Sequence, residues 1–216
     1  MTIARNARTD PRSAATRAAV LEMAESLFAS GGIEGTSLRQ IAIAAGAANT
    51  NVVAYHFGGK DELVEAIFKK RLPEIDARRA ALLEEAEAAG RGEEILPLLD
   101  ALWRPFFEQE NASGQHSYAA FLMSVFRSNR FDLRISLDGD FPATQKIVSR
   151  IATRSGTDTE TGGHRLVIQL AMVAAALAQI DQKELDPEQA AALFADVLRM
   201  TEKAMQAPLE HSEKRP

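Results

Sequence analysis

Three short polar side chains, Asn49, Thr50 and Asn51, stand together after an alanine-rich stretch. A carboxamide carries a donor and an acceptor side by side, so Asn49 and Asn51 could each read an adenine with two hydrogen bonds. The Thr50 hydroxyl could reach a base or a phosphate oxygen. A structural alternative stays open for Asn49, because asparagine is also a preferred helix N-cap. These residues indicate either a nucleic-acid contact or the start of a helix.

A helix must present these side chains, and residues 36–60 predict two short helices joined by a turn. Thr36 is the predicted cap of the first helix. Apolar residues recur at i, i+3 and i+4 along its buried face: Leu38, Ile41 and Ala42. Gly46 ends this helix, and the second is predicted to open within residues 48–51. Two helices around a glycine-centred turn are typical of a helix-turn-helix, which places a helix in the DNA major groove.

The same segment resembles the N-terminal DNA-binding domain of the TetR/AcrR transcription regulators. AAG precedes a short polar helix, which is followed by YHFGGK and an amphipathic helix beginning DELVEAIF. The similarity extends from about Thr16 to about Phe68 and includes three residues before the motif, Leu27, Phe28 and Gly32. One departure is an additional residue between Ala45-Gly46 and His56-Phe57, which resembles a subgroup with an Asn-containing turn.

The resemblance implies DNA contacts at nine positions. Two of them meet phosphates near the first motif helix, four open the recognition helix, two end it, and a basic residue opens the next helix: Thr36 and Arg39; Ala48, Asn49, Thr50 and Asn51; Tyr55 and His56; and Lys60. Phe57 is then a core residue. For His56 the structural alternative is simple packing.

The resemblance also implies an all-α, TetR-like fold with two domains. A three-helix helix-turn-helix domain is expected over residues 10–60, a helical ligand-binding and dimerisation domain over 61–206, and a disordered tail over 207–216. The implied partners are a second copy of the chain, a pseudo-palindromic double-stranded DNA operator and a small apolar or amphipathic ligand that releases a repressor. The alternative function is a helical adaptor that regulates a protein partner without sensing a small molecule.

Composition and charge are compatible with such a regulator. The 216 residues are 46% apolar, which supports a packed core, and their formal net charge of −5 opposes nonspecific binding to nucleic acid. The charge is uneven, because residues 1–60 hold six basic and four acidic side chains. Arg5, Arg8 and Arg12 form either a DNA-contacting arm or a solvated terminus.

Further expectations concern targeting and chemistry. The longest uncharged apolar run, residues 166–180, is too short for a bilayer span of about 20 residues, and the N-terminus lacks an apolar signal core, so a cytoplasmic protein without membrane contact is expected. The absence of cysteine excludes disulfides, thiolate zinc sites and cysteine nucleophiles. No Gly-x-Ser-x-Gly, phosphate-loop or His-Glu-x-x-His pattern occurs, so no catalytic residue, metal or cofactor is expected.

Helical patterns continue through the C-terminal part. Helix one is predicted to begin at Asp10-Pro11 and end at Gly31-Gly32, and Pro73 is expected to kink or split helix four. Two helices near 161–181 and 187–206 are apolar on several sides, which favours either a four-helix dimer interface or an ordinary monomer core. The candidate interface residues are Leu166, Leu170, Val173, Ala174, Leu177, Phe194 and Leu198.

Large apolar side chains concentrate between residues 103 and 141: Trp103, Phe106, Phe107, Phe121, Met123, Phe126, Phe131 and Phe141. Trp103, Phe107, Phe121 and Phe126 are the candidate lining of a ligand pocket, because such sites are mostly apolar. The alternative is ordinary core packing. The polar neighbours Gln115, His116, Arg127 and Arg130 either orient a carboxylate or hydroxyl of the ligand or face water, and water is the expectation for each.

Overall fold

The computed structural model describes residues 11–130 and 141–208. Every regular element in these two stretches is an α-helix. The helices are, in chain order, α1 Pro11–Gly31, α2 Leu38–Ala44, α3 Val52–Phe57, α4 Lys60–Ala88, α5 Ile95–Glu108, α6 Ser117–Arg127, α7 Pro142–Ser155, α8 Thr159–Lys183 and α9 Pro187–Gln206. The all-α architecture expected from the sequence is confirmed.

Local signals explain several helix ends. The Asp186 side chain accepts from the Gln189 amide while the Gln189 side chain reaches back, a capping box that starts α9 with Pro187 in its first turn. Asp158 caps α8 through the Thr161 amide at 2.7 Å. The arm with Arg5 and Arg8, the predicted cap Asp10, Phe131 and the tail from residue 209 lie outside the described residues.

The helices divide into two compact units. The N-terminal unit comprises the described residues up to Arg71 together with 120–130, and the C-terminal unit comprises 72–119 and 141–208. The motif-based boundary at residue 60 therefore differs from the division by contacts. Segment 120–130, the larger part of α6 and its C-terminal turn, belongs with the helix-turn-helix and not with the C-terminal unit.

The core of the N-terminal unit is built around three aromatic rings. Phe121 lies 6.4 Å from Phe28 and 5.5 Å from Phe68, measured between ring centroids, and all three side chains are fully buried. Beside them Arg71 donates two hydrogen bonds, of 2.7 and 2.9 Å, to the carboxylate of Glu25. This ion pair joins α1 to α4 and is largely removed from water.

Pro73, expected to kink or split helix four, lies inside an uninterrupted helix, so the splitting alternative is wrong. A proline removes one N–H from the helix ladder, and its ring crowds the preceding turn. The flanking side chains Leu72 and Ile75 are buried, and their packing holds the helical course on both sides of the missing hydrogen bond. The division between the two units follows Arg71, two residues before this proline.

The core of the C-terminal unit contains a satisfied polar group. Gln169 is fully buried on α8; its side-chain nitrogen donates to the Thr201 carbonyl at 3.2 Å, and its oxygen accepts from Trp103 Nε1 at 3.4 Å. One amide therefore joins α5, α8 and α9. Since a buried amide needs partners, this contact favours a single arrangement of the three helices.

Six of the seven candidate interface residues are buried within the single chain: Leu170, Val173, Ala174, Leu177, Phe194 and Leu198. They form the monomer core, and only Leu166 is half-buried. The assignment of these six to a dimer interface is wrong, because the apolar pattern of α8 continues round the helix and does not say which side faces inward.

The outward side of α8 carries a second apolar stripe. Ile168, Ala171, Met172 and Ala175 follow the i, i+3, i+4, i+7 spacing of one helix face, and Ile168 is 59% exposed. By length and composition α8 could cross a membrane, but one such helix does not identify a membrane protein, because core helices pass the same test. Only 39% of its most apolar stretch is buried in the single chain.

Candidate nucleic-acid interface

The first motif helix is capped by Ser37 and not by Thr36. Ser37 Oγ accepts from the Gln40 amide, and the Gln40 side chain accepts from the Ser37 amide at 2.7 Å. Thr36 is 4% exposed, and its hydroxyl is directed at two backbone carbonyls, those of Gly32 at 2.8 Å and Leu27 at 3.2 Å. The Thr36 cap is therefore a wrong assignment, and its inward hydroxyl has no donor left for a phosphate.

The turn between the motif helices is longer than expected. Gly46 adopts a left-handed backbone with φ of 68°, as the glycine-centred turn requires. The Asn49 side chain then accepts from the Asn51 amide at 2.9 Å, which forms an Asx turn. The second helix starts only at Val52, so residues 48–51, predicted to open it, lie in the turn. Asn49 is a turn-forming residue with its NH₂ group still available.

The exposed side of α3 is polar and aromatic. Val53 is buried and anchors the helix, whereas Tyr55 is 85% exposed with its ring edge against His56 at 5.0 Å between centroids. Asn51, the N-cap residue, makes no side-chain cap hydrogen bond, so its carboxamide is free to point outward. Ala48 and Thr50 are exposed beside it. The turn and the short helix thus present a continuous hydrogen-bonding surface.

Lys60 has a role that its sequence position does not reveal. Its ammonium donates to the carbonyls of Ile33 at 2.8 Å and Glu34 at 3.2 Å, and it lies 3.9 Å from the Glu34 carboxylate. The lysine side chain is 26% exposed. All three contacts are made with the loop before α2, so Lys60 fixes that loop to the first turn of α4, and its charge is partly neutralised before any phosphate approaches.

Basic side chains beside the motif complete the surface. Arg39 is exposed on α2 and forms no ion pair with any residue that the structure describes. Phe57 is half-buried and not a core residue, and the guanidinium of Arg17 lies over its ring, 4.8 Å from the centroid. Arg17 was predicted only as a positive charge. The exposure of Ile43 on α2 was not predicted either, because the spacing of this residue does not indicate an outward position.

The four candidate pocket residues do not share one lining. Phe121 belongs to the core of the N-terminal unit, Phe126 is 44% exposed, and Trp103 is buried against Phe106 at 5.7 Å between centroids. Phe107 lines a depression. The proposed set fails because aromatic spacing along α5 and α6 does not separate core positions from lining positions.

Phe107 lines a depression of about 770 Å³ in the C-terminal unit, together with His116, Ile180, Asp181 and Leu185. His116 is buried and does not face water. Its ring nitrogens lie 2.6 Å from an Asp181 carboxylate oxygen and 3.0 Å from the Phe107 carbonyl, and the ring stacks on that of Phe107. The wall of the depression is therefore a fixed structure that joins the end of α5 to the end of α8.

Among the described residues, no group of three or more His, Asp or Glu side chains is placed to hold a metal ion. Most carboxylates that contact another side chain form ion pairs with arginine or lysine. Glu108, for example, lies 2.7 Å from Arg78.

The family profile described as "Bacterial regulatory proteins, tetR family" matches residues 20–67, which include the whole helix-turn-helix. Residues 20–67 are therefore similar to the DNA-binding domain of TetR-family regulators. Such regulators are non-enzymatic DNA-binding proteins. No curated protein is significantly similar to the chain in sequence.

The fold is similar to that of a solved structure. A putative tetR family transcription regulator from Shewanella sp. PV-4 is 22% identical, covers 88% of this chain and 97% of its own, and gives a TM-score of 0.53. The TetR family transcriptional regulator PfmR from Thermus thermophilus is 19% identical, covers 90% and 97% of the two chains, and gives a TM-score of 0.49.

Proposed function

We propose that the chain is a transcriptional repressor that binds a pseudo-palindromic operator as a homodimer. The observation that carries this proposal is the exposed surface of the motif: Tyr55 is 85% exposed, and the Asn51 carboxamide and the exposed Arg39 guanidinium have no side-chain partner among the described residues. Exposed groups of this kind position a protein on phosphates and read base edges.

The second copy is expected to cover the outward stripe of α8. Ile168, Ala171, Met172 and Ala175 form an apolar face that the described residues leave partly exposed, and Met200 on α9 is 52% exposed. The alanines permit close approach of a second helix, and apolar area removed from water stabilises association. A homodimer also supplies two helix-turn-helix motifs, each of which reads one half-site of a palindrome.

The effector is expected to be a small apolar or amphipathic molecule that enters the depression beside Phe107 and His116. Its volume of about 770 Å³ lies within the range of small-molecule sites, and Phe107, Ile180 and Leu185 supply apolar contact. A ligand acts on DNA binding only through different affinities for the DNA-free and DNA-bound states. We place the protein in the cytoplasm, where the DNA that it regulates lies.

The test begins with selection of duplexes from a random library by the full-length protein, followed by light scattering and a binding isotherm on the selected duplex. The expected result is a dimer and a selected sequence with two-fold symmetry. A monomer that selects no sequence would contradict the proposal. Selective capture of a protein with no duplex enrichment would favour an adaptor.

The release of DNA by a small molecule is tested separately through the fluorescence of Trp103. This residue is the only tryptophan and lies one turn before Phe107 on α5. A metabolite panel is screened on the DNA-free dimer, and each active compound is titrated again with the selected duplex present. An effector binds more weakly in the presence of the duplex. Equal affinity in both titrations identifies a molecule that occupies the C-terminal unit without regulating it.

A further inference from the structure

We propose that Arg130 is a positioning residue for DNA binding, which acts by holding the loop before α2 against the first turn of α4. This inference rests on the proposed function. The Arg130 guanidinium bridges two carboxylates from different parts of the motif domain, Glu34 and Asp61. We call the three side chains the Arg130 clamp.

Local structure at the end of α6 fixes the position of Arg130. Asn129 has a φ of 55°, a left-handed conformation that asparagine tolerates better than most residues. The Arg130 amide then donates back to the Val125 carbonyl at 3.2 Å, and the Ser128 amide donates to the Ser124 carbonyl at 3.1 Å. The helix end thus turns sharply, as in a Schellman cap, and the side chain that follows the turn has a defined origin.

Within the clamp, Arg130 binds both carboxylates through hydrogen bonds. Arg130 Nε donates to Asp61 Oδ1 at 2.7 Å, and Arg130 Nη1 donates to a carboxylate oxygen of Glu34. The arginine side chain is 23% exposed, whereas Glu34 and Asp61 are 70% and 56% exposed. These contacts raise the pKa of the Arg130 guanidinium, chiefly through the hydrogen bond to Asp61 and then that to Glu34, so the charge is permanent.

A second contact from the same helix reaches the same loop. Ser124 is 2% exposed, and its hydroxyl accepts from the Ile33 amide at 3.0 Å. Lys60 donates to the Ile33 and Glu34 carbonyls from the other side. Residues 33 and 34 are therefore held through an amide, two carbonyls and a carboxylate, although they belong to no helix themselves.

The loop held by the clamp leads directly into the helix-turn-helix, so its position bears on DNA binding. Ser37, which caps α2, lies three residues after Glu34, and Asp61 stands in the first turn of α4 directly after α3 and its glycines. The clamp thus fixes the chain on both sides of the helix-turn-helix. Arg130 lies just after the end of α6, and the first residues of α6 belong to the C-terminal unit. The geometry of the motif therefore depends on a segment that is not part of the motif.

The decisive variant is Glu34→Gln. Simple electrostatics predicts that loss of a carboxylate near DNA tightens binding, because repulsion from phosphates falls. The clamp predicts the opposite, a loss of about two- to thirtyfold in affinity for the duplex selected by the wild-type protein. A scrambled duplex of the same length should lose less affinity, and Arg130→Lys, which keeps the charge but not the planar fork, should be intermediate.

The matched control is Glu65→Gln, which removes a carboxylate from a surface pair with Lys69 at 3.3 Å in the same domain. Hydrogen exchange of the Ile33 amide, measured without DNA, should accelerate in Glu34→Gln and not in Glu65→Gln. The affinity difference between wild type and Glu34→Gln should shrink at high salt, because the clamp is partly exposed and is screened.

The outcomes separate the two proposals. If the wild-type protein selects no duplex, the proposed function fails, and the exchange measurement still tests the clamp. If the wild-type protein selects a duplex but Glu34→Gln tightens binding like Glu65→Gln, with unchanged Ile33 exchange, the clamp is overturned. Asp61→Asn provides a second test from the other carboxylate, with circular dichroism to show that each variant is folded.

Discussion

The position of Lys60 in the motif implies a contact with DNA, but its ammonium contacts the protein itself. Its hydrogen bonds go to the carbonyls of Ile33 and Glu34. We expect Lys60→Met to lower the free energy of unfolding by about 1–2 kcal/mol, because hydrogen bonds from a charged group to partly buried carbonyls are lost.

The same variant should leave the salt dependence of DNA binding close to that of the wild type, since Lys60 is not expected to neutralise a phosphate. Urea denaturation and isotherms at several salt concentrations measure the two effects. Arg39→Gln is the control: it should reduce the salt slope by about one unit with little change in stability. The reverse pattern would restore Lys60 to the DNA surface.

At the recognition surface, base reading and phosphate contact are expected from different residues. Asn51→Ala should change sequence preference by about 1–3 kcal/mol at one base pair, because its carboxamide is free to form two hydrogen bonds. Tyr55→Phe should weaken the selected and the scrambled duplex equally, because a phenol contact to phosphate carries no sequence information. Competition isotherms on single-base variants of the duplex measure both. Uniform loss for Asn51→Ala would assign it to phosphate.

Helix α8 has two apolar sides, one buried in the core of the C-terminal unit and one exposed. Val173 is fully buried, so Val173→Arg should unfold the C-terminal unit, because a buried unpaired charge costs several kcal/mol. Ala175 lies on the exposed stripe, so Ala175→Arg should leave the fold intact and convert the dimer to a monomer with weaker DNA binding. Thermal melts and sedimentation separate the two results. A dimer that persists in folded Ala175→Arg would exclude the stripe as the interface.

The pairing of α4 with α5 should appear in the pH dependence of stability. Arg78 donates two hydrogen bonds to Glu108, of 2.7 and 2.8 Å, and this contact holds the pKa of the Glu108 carboxyl below its usual value of 4.5. A carboxyl whose pKa is lower in the folded state stabilises the fold above the unfolded pKa, and this contribution is lost as the pH falls through the folded value.

We therefore expect Arg78→Gln to be less stable than the wild type at pH 7, with a difference that narrows below about pH 4.5 as Glu108 becomes protonated in the unfolded wild-type chain. Chemical denaturation between about pH 3 and pH 7 gives the two curves. Arg199→Gln, which breaks an exposed pair with Asp196 on α9, is the control. A difference that widens towards low pH would contradict the assignment.

Much of this element structure could be predicted because its signals are local. Asp186, Pro187 and the helical period of about 3.6 residues define α9 within the chain itself. Thr36 and Ser37 could not be distinguished, since both are good caps and only the contacts of Thr36 with Leu27 and Gly32 remove it from that role. The late start of α3 also depends on a side-chain turn at Asn49.

For the whole molecule, the arrangement of two motifs sets a distance on DNA. Two helix-turn-helix motifs on one face of a duplex require half-sites separated by one helical turn, or multiples of it. We expect insertion of about five base pairs between the half-sites of the selected duplex to abolish binding of the dimer, because one half-site then faces away. Mobility shifts measure this. Insertion of a full turn provides the comparison, and equal binding to all spacings would argue against a fixed dimer.

The interface and the pocket were harder to foresee than the fold, because each depends on which side of a helix faces inward. Val173 and Ala175 are two residues apart in one apolar run, yet one is core and the other is exposed. Likewise Phe107 on α5 and Phe121 on α6 both lie on apolar helices, but their units differ. Helix orientation is decided by long-range packing, such as the bridge from Gln169 to Trp103 and Thr201.

The buried pair of Glu25 and Arg71 places a constraint on how this domain can diverge. Their side chains are 4% and 14% exposed, so loss of either partner leaves the other charged and buried, at a cost of about 3–5 kcal/mol. Replacement of both by apolar residues avoids that cost. Descendants of this sequence should therefore inherit the two positions together: a lineage with leucine at one should have lost the charge at the other, and a mixed pair should be rare among functional homologues.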